Sequence, residues 1–158
     1  MRKMLFRGKI KSNDEWSYGN INVSLRGIAI ITPDETPTGI YGQVIPETVG
    51  QYTGLTDKNG KKIFEGDIVQ YSTDDYFVCK SIVEFGEYKQ DGSSGEYDAV
   101  DCLGFYVEVG KFTCPDWFCN EPENFQDYLR QQNLAEIASQ CEIIGNIHDN
   151  RELLEVEE

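Results

Sequence analysis

The residues with the clearest chemical potential lie in one stretch, residues 49–69, with the sequence VGQYTGLTDKNGKKIFEGDIV. Its density of Gly, Asp, Asn and Lys is typical of ligand loops. A calcium loop has acidic residues at alternate positions, Gly at the sixth and Glu at the twelfth. Counted from Asp57, Gly60 is the fourth residue and not the sixth, and the nearby lysines would repel a cation. The stretch therefore does not fit a calcium loop. A phosphate-binding Walker loop needs G-x-x-x-x-G-K-[ST], and Gly54 and Gly60 are one residue too far apart for it.

The same stretch is typical of a β-hairpin closed at Asn59-Gly60. This pair is preferred in two-residue type I′ turns, because both central positions need positive φ. Folding about it sets Asp57 opposite Lys62 and Leu55 opposite Phe64, which are an attractive and an apolar cross-strand pair. The predicted structural turn residues are Asn59, Gly60 and Gly66.

Cysteine and histidine supply the other candidates for metal binding or nucleophilic chemistry. Cys114 and Cys119 enclose PDWF, but a zinc site needs two more ligands, and the sequence does not supply them with a recognisable spacing. His148 lies in a turn, and no cysteine is adjacent to it in sequence. We therefore predict free thiols, no metal, no cofactor and no catalytic residues.

Short strands are the elements expected to position these residues. Segments 4–10 and 15–23 predict an opening hairpin. β-branched and aromatic residues alternate along several later segments, whereas residues 89–102, rich in Gly, Ser and Asp, predict a mobile surface loop. The later predicted strands cover residues 25–32, 67–71, 76–88, 103–109 and 141–147.

Only residues 121–140 show apolar residues at helical spacing. Together these patterns predict a mainly β fold, a small β-barrel or sandwich of short antiparallel strands with one α-helix in the C-terminal region. We predict one domain over residues 1–158. Within it, an N-terminal β subdomain (about 1–48) packed on a β-barrel core (about 49–154) is the possible subdivision.

Composition limits the partners and the compartment. The chain has 158 residues, with 39% hydrophobic and 12% aromatic residues, enough for a modest core. The N-terminus is basic without the apolar run of a signal peptide, so we expect a cytoplasmic protein with no membrane contact. A formal net charge of −14 argues against direct nucleic-acid binding.

Three blocks of the sequence resemble the YopX protein family: FRGKI…EWSYGNI, VIPETVGQYTGLTDKNGKKIFEGDIVQY and CEIIGNIHDNRELL. The resemblance covers about residues 5–154, and the middle block is the most specific. It implies a small, mostly β protein of phage or prophage origin, of unknown biochemical role and without established catalytic residues. Arg151 and His148 stand where the family often has Pro and Tyr. The signature positions matched are Gln51, Tyr52, Thr53, Gly54, Asp57, Asn59, Gly60, Glu65, Gly66, Asp67, Gly145, Asn146 and Asn150.

Turn chemistry does not account for four of these signature residues, which we therefore take as a candidate binding surface: Gln51, Tyr52, Thr53 and Glu65. The leading hypothesis is a non-enzymatic phage or prophage accessory protein, a β-rich interaction module that docks an unknown host or phage protein around Tyr52 and Phe64. A homo-oligomer is a further option. One alternative is an acidic DNA mimic that inhibits a host nucleic-acid-processing or defence enzyme. The other is an enzyme for a nucleotide or another small molecule, with Glu65, Asp67 and His148 in a cleft.

Overall fold

The computed structural model of the protein describes residues 4–23, 29–32, 42–74, 77–92, 97–108, 111–113 and 131–154. The chain divides into two compact units, Met1–Thr53 and Gly54–Glu158. The predicted packing of an N-terminal subdomain on a core stays a prediction. No helix within the described ranges has the length and apolarity needed to cross a bilayer.

The first unit is an antiparallel sheet in the order β4-β3-β2-β1-β5. Val44 is fully buried and is surrounded by the partly buried Phe6, Ile21 and Val49. A 3₁₀ turn at Pro46–Thr48 precedes β5, which ends in the second unit. The strands are β1 (Phe6–Lys9), β2 (Trp16–Val23), β3 (Ala29–Thr32), β4 (Gly42–Gln43) and β5 (Gly50–Thr56).

Strands β1 and β2 form the predicted opening hairpin, which is confirmed. Its register sets Arg7 opposite Tyr18 and Lys9 opposite Trp16. The Arg7 guanidinium lies 4.8 Å from the centre of the Trp16 ring, at cation–π distance. Lys9 Nζ is 3.0 Å from a carboxylate oxygen of Asp14, a turn residue with φ of 60°. These contacts compensate for burying two cationic side chains in one small sheet.

Among its described residues, the second unit contains seven further strands and a short helix. Strand β6 pairs with the end of β5, and the main sheet runs β11-β9-β8-β7-β12, with β10 also paired to β8. The mainly β fold is confirmed; the open strand order fits the sandwich alternative, and no closed barrel is found among the described strands. The elements are β6 (Lys62–Phe64), β7 (Asp67–Asp74), β8 (Phe77–Gly92), β9 (Tyr97–Glu108), β10 (Lys111–Thr113), β11 (Gln131–Asn133), α1 (Leu134–Ile137) and β12 (Glu142–Asn146).

The core of the second unit forms where alternate residues of β7, β8 and β9 point to one side. Removing each Val or Ile side chain from water stabilises the fold by roughly 1.5–3 kcal/mol. Leu55, Phe105 and Ile143 pack against this core from the border. The buried cluster comprises Ile63, Val69, Tyr71, Cys79, Val83, Val107, Leu134, Ile137, Ala138 and Cys141.

The predicted surface loop at 89–102 is wrong over most of its length. Strands β8 and β9 continue through it, with Lys89 opposite Asp101 and Gln90 opposite Val100. Residues 93–96 lie outside the described residues. Local Gly and Ser content favours a turn, but here an antiparallel partner directly across the hairpin satisfies the backbone groups.

The predicted helix at 121–140 is correct only in part. Residues 121–130 lie outside the described residues, and residues 134–137 are helical as predicted. Residues 131–133 form a strand because their backbone pairs with β9 at positions 106–108. Helix α1 begins after this strand, where the Asn133 side chain accepts a hydrogen bond from the Ala135 N–H at 2.9 Å.

Candidate functional site

The turn at Asp57–Lys61 is built differently from the predicted type I′ turn. The Asp57 carbonyl accepts the Gly60 N–H, and the Lys61 carbonyl accepts the Asp57 N–H, both at 2.9 Å. Gly60 has φ of +79°, but Asp14 is the sole described non-glycine residue with positive φ, so Asn59 is not left-handed. The loop is therefore a type I turn followed by a left-handed glycine. Type I′ geometry and the Asp57–Lys62 pairing are wrong; Asp57 lies opposite Lys61.

The side chain of Asp57 explains this choice of turn. Its Oδ1 accepts the N–H groups of Asn59 and Lys61, each at 2.9 Å. An aspartate that hydrogen-bonds the backbone two residues later stabilises an Asx turn. In this geometry the carboxylate satisfies two turn donors at once.

The second oxygen of Asp57 reaches a distant strand. Oδ2 accepts the Ile143 N–H of β12 at 3.1 Å, and the neighbouring Lys58 N–H donates to the Cys141 carbonyl at 2.9 Å. Asp57 is only 5% exposed. One carboxylate thus closes the turn and holds it against β12.

The electrostatics of Asp57 follow from these contacts. Burial raises the pKa of the carboxyl, but hydrogen bonds from the backbone of Ile143, Lys61 and Asn59, aided by the Lys61 charge, outweigh it and lower the pKa below its ordinary value. The group is therefore ionised at neutral pH and acts as an acceptor. A general acid needs the opposite shift.

A second buried carboxylate shapes the bend between β6 and β7. Asp67 Oδ2 accepts the Phe64 N–H at 2.8 Å, and Gly66 has φ of +81°. The Gly66 N–H donates to the Val83 carbonyl at 2.8 Å, and the Gly66 carbonyl accepts the Ile147 N–H at 2.9 Å. The bend is therefore a structural joint between β8 and the end of β12.

The signature residues after β12 form a third side-chain-supported turn. Asn146 Oδ1 accepts the N–H groups of His148 and Asp149 at 3.0 and 3.1 Å. A Cβ built on Gly145 would lie 2.6 Å from Asn150 Oδ1, so glycine is required there by close packing. His148 is exposed in this turn.

The predicted binding surface is distributed over both units. In the first unit, Gln51 and Tyr52 are half-buried on β5, while Thr53 is 3% exposed. In the second, Glu65 is half-buried in the β6–β7 bend, and Phe64 is 3% exposed. Thr53 and Phe64 therefore do not offer a surface to a partner, because the core covers their side chains. Gln51, Tyr52 and Glu65 stay candidates.

An open groove of about 430 Å³ lies between the Asp57 turn and helix α1. Its two charged side chains are held by other groups: Asp57 by backbone N–H groups, and Lys58 by Glu142 at 2.6 Å. The rest of its wall is small or apolar. The lining residues are Gly54, Leu55, Thr56, Asp57, Lys58, Ala135, Ala138 and Ser139.

Among the described thiols, Cys141 does not have the properties of a nucleophile. Cys79, Cys102 and Cys141 do not form disulfides, and Cys114 and Cys119 lie outside the described residues. Burial, reinforced by the Asp57 charge, raises the pKa of Cys141 to about 11, so it is a neutral thiol at physiological pH. Within the described ranges no three His, Cys, Asp or Glu side chains are grouped to hold a metal ion.

Comparison with known proteins now adds the family. A model of the YopX protein family matches residues 4–155. The chain belongs to the YopX family. It is also similar to a crystal structure of protein EF1440 from Enterococcus faecalis, with 21% sequence identity, a TM-score of 0.49, and coverage of 98% of this chain and 100% of that chain. No curated protein matches this sequence.

In this YopX protein, sequence reasoning missed the importance of Asp57. The contacts of Asp57 within the turn could have been predicted locally, because an aspartate often accepts the N–H two residues later, here that of Asn59. Its contact with Ile143 spans 86 residues and has no local signal. Two further signature residues, Gly145 and Asn150, are explained by their mutual packing, which the sequence alone did not reveal.

Proposed function

We propose that this YopX protein is a non-enzymatic accessory protein, an interaction module that binds a macromolecular partner in the bacterial cytoplasm. The observation that carries the proposal is the state of Asp57. Both of its carboxylate oxygens are occupied by backbone N–H groups, and it is held ionised. Such a carboxylate fixes backbone geometry instead of transferring protons. The most distinctive block of the sequence therefore favours a scaffold role.

Family membership supports the biological setting of this proposal. The resemblance to YopX proteins implies a phage or prophage origin, and an accessory protein of a phage acts on host or phage proteins. On this view Gln51 and Tyr52 of the first unit, and separately Glu65 of the second unit, are candidate contacts for a partner. Each is half-buried, so each has a fixed base and an accessible part.

A second candidate is a DNA mimic that inhibits a host nucleic-acid enzyme. The formal net charge of −14 favours it, because a basic nucleic-acid site attracts a strongly acidic surface. It also requires exposed acids at a regular, phosphate-like spacing. The exposed acids of the described residues belong to separate turns and strands, for example Glu15, Glu47 and Glu152, and this ranks the mimic second.

Affinity capture with the tagged full-length chain tests the binding role. We expect a protein partner to be retained from bacterial lysate in stoichiometric amount, with and without nuclease treatment. Capture that disappears after nuclease treatment would contradict the proposal, as would turnover of a nucleotide or other small molecule by the purified chain. Asp57→Asn, which weakens the scaffold, serves as a control for partners that bind unfolded protein.

A further inference from the structure

One face of the long β8–β9 hairpin combines exposed apolar and charged side chains. Antiparallel partners share a face, and the register pairs Phe85 with Phe105, Glu87 with Leu103 and Lys89 with Asp101. Successive members of each strand are two residues apart, so all six side chains point the same way. The outer face is defined by Phe85, Glu87, Lys89, Asp101, Leu103 and Phe105.

The outer face lies next to the hydrophobic core on the same side of the hairpin. The preceding pair on the same side, Val83 and Val107, is fully buried. Beyond it, Phe85 is 50% exposed and Leu103 is 72% exposed. The Phe85 and Phe105 rings meet edge to face with centres 5.0 Å apart, so Phe105 joins the core to the exposed residues. Phe85 and Leu103 are diagonal neighbours on this face, so two exposed apolar side chains lie next to the core and form a candidate interaction site.

The opposite side of the hairpin is covered in part, around Tyr88. Tyr88 is buried there and stacks on Tyr106 with ring centres 5.2 Å apart. The Gln131 side chain accepts the Lys89 N–H and donates to Glu108, both at 2.8 Å. Among the described residues these contacts lie on the opposite side, and Phe85, Glu87 and Leu103 of the outer face are exposed.

Charge indicates what kind of partner fits this face. Lys89 Nζ and an Asp101 carboxylate oxygen lie 4.0 Å apart as an exposed pair of opposite charge, and the exposed Glu87 beside Leu103 adds a negative charge to this face. A second copy of the chain would bring its own net charge of −14 against this surface. In contrast, this acidic protein attracts a partner that carries positive charge around an apolar group.

We propose that the outer face docks a basic protein segment that inserts an apolar anchor beside Phe85 and Leu103 and sets Lys or Arg side chains against Glu87. This inference rests on the proposed binding role and gives it a surface and a partner chemistry. Apolar anchors at the centre of an interface carry most of the binding energy, while flanking charges add orientation and association rate.

A pair of serine substitutions on the same hairpin tests the surface. Leu103→Ser removes an apolar residue of the outer face that is 72% exposed, whereas Val100→Ser removes one that is 59% exposed on the other side. The probes are two amphipathic synthetic peptides of identical pattern, one of Leu and Lys and one of Leu and Glu, with affinity measured by fluorescence anisotropy. We expect the Leu/Lys peptide to bind wild type and Val100→Ser alike and Leu103→Ser about tenfold more weakly. The Leu/Glu peptide should not bind.

Three results would overturn the proposed surface. The first is equal weakening by both serine variants, which indicates diffuse attraction to an acidic protein. The second is wild-type self-association that Leu103→Ser abolishes, which makes a second copy the occupant. The third is a captured cellular partner that binds Leu103→Ser as tightly as wild type, which refutes the outer face while the binding role survives. If Leu103→Ser fails to fold, Glu87→Lys replaces it, with the same expected weakening for the Leu/Lys peptide.

Discussion

At the scale of single residues, the buried and ionised carboxylate of Asp57 accepts backbone hydrogen bonds more strongly than a neutral side chain would. Asp57 satisfies three backbone N–H groups, two in its own turn and one in β12. Hydrogen bonds to an ionised acceptor are stronger than neutral ones, and unsatisfied buried donors are costly. The stability of the signature turn therefore depends on the charge of one side chain.

Asp57→Asn should lower the free energy of unfolding at pH 7 by about 2–3 kcal/mol, because the amide NH₂ replaces an acceptor and faces a backbone donor. The pKa of Asp57 is lower in the folded state than its ordinary value of 3.8. Its stabilisation is therefore complete above that value and lost as the pH falls through the folded pKa. Urea titrations across the acid range should show wild type and variant converging. A constant difference down to the lowest pH would contradict the assigned role of the charge.

Gly60 has a conformational requirement that can be separated from packing. Its φ is +79°, and a Cβ there would meet no atom within 4 Å. Gly60→Ala should thus destabilise by ~1–2 kcal/mol through backbone strain alone. Gly60→Asn should cost less, since asparagine tolerates the left-handed region. Thermal unfolding of both variants measures the difference, and equal costs would argue against strain as the cause.

At the scale of elements, what the sequence predicted correctly was local. Alternating β-branched and aromatic residues predicted β7 and most of β8, since a strand that buries one face alternates in this way. What failed was decided by strand pairing, which the composition of a segment does not reveal. The Gly/Ser-rich segment after residue 88 pairs across its own hairpin, and residues 131–133 join β9 instead of extending a helix. The Asp57–Ile143 hydrogen bond is of the same kind, and for that reason the candidate site was only half predictable.

The junction between β12 and its following turn is closely packed at Gly145. A Cβ on Gly145 would lie 2.6 Å from Asn150 Oδ1 and 2.8 Å from Asn150 Cβ, whereas a Cβ on Gly104 in β9 meets nothing within 4 Å. Gly145→Ala should therefore lower the free energy of unfolding by about 1–3 kcal/mol, as overpacking does. Gly104→Ala should be neutral or slightly stabilising. Chemical denaturation of the two variants compares them, and equal effects would mean that Asn150 can move aside.

At the scale of the whole molecule, charge and anchoring compete to explain binding. The chain combines 28 acidic with 14 basic residues. If this excess alone recruits a basic partner, many exposed ion pairs share the binding energy. If anchors dominate, a few side chains such as Tyr52 or Leu103 carry it, and the acidic excess mainly keeps the protein soluble.

The dependence of affinity on salt separates these two mechanisms. Exposed ion pairs are screened beyond about 10 Å at ~0.1 M ionic strength, so a DNA mimic should lose affinity steeply as salt is added. An anchored complex should lose little, whereas truncating an anchor should cost roughly 2 kcal/mol or more at every salt concentration. We expect the affinity of the captured partner to depend on anchors and little on salt. Tyr52→Ala tests the candidate binding surface, and Leu103→Ser tests the outer face. Binding titrations at several salt concentrations distinguish the two mechanisms. A steep salt dependence combined with indifference to both substitutions would place the acidic surface, and with it the DNA mimic, ahead of the anchored module.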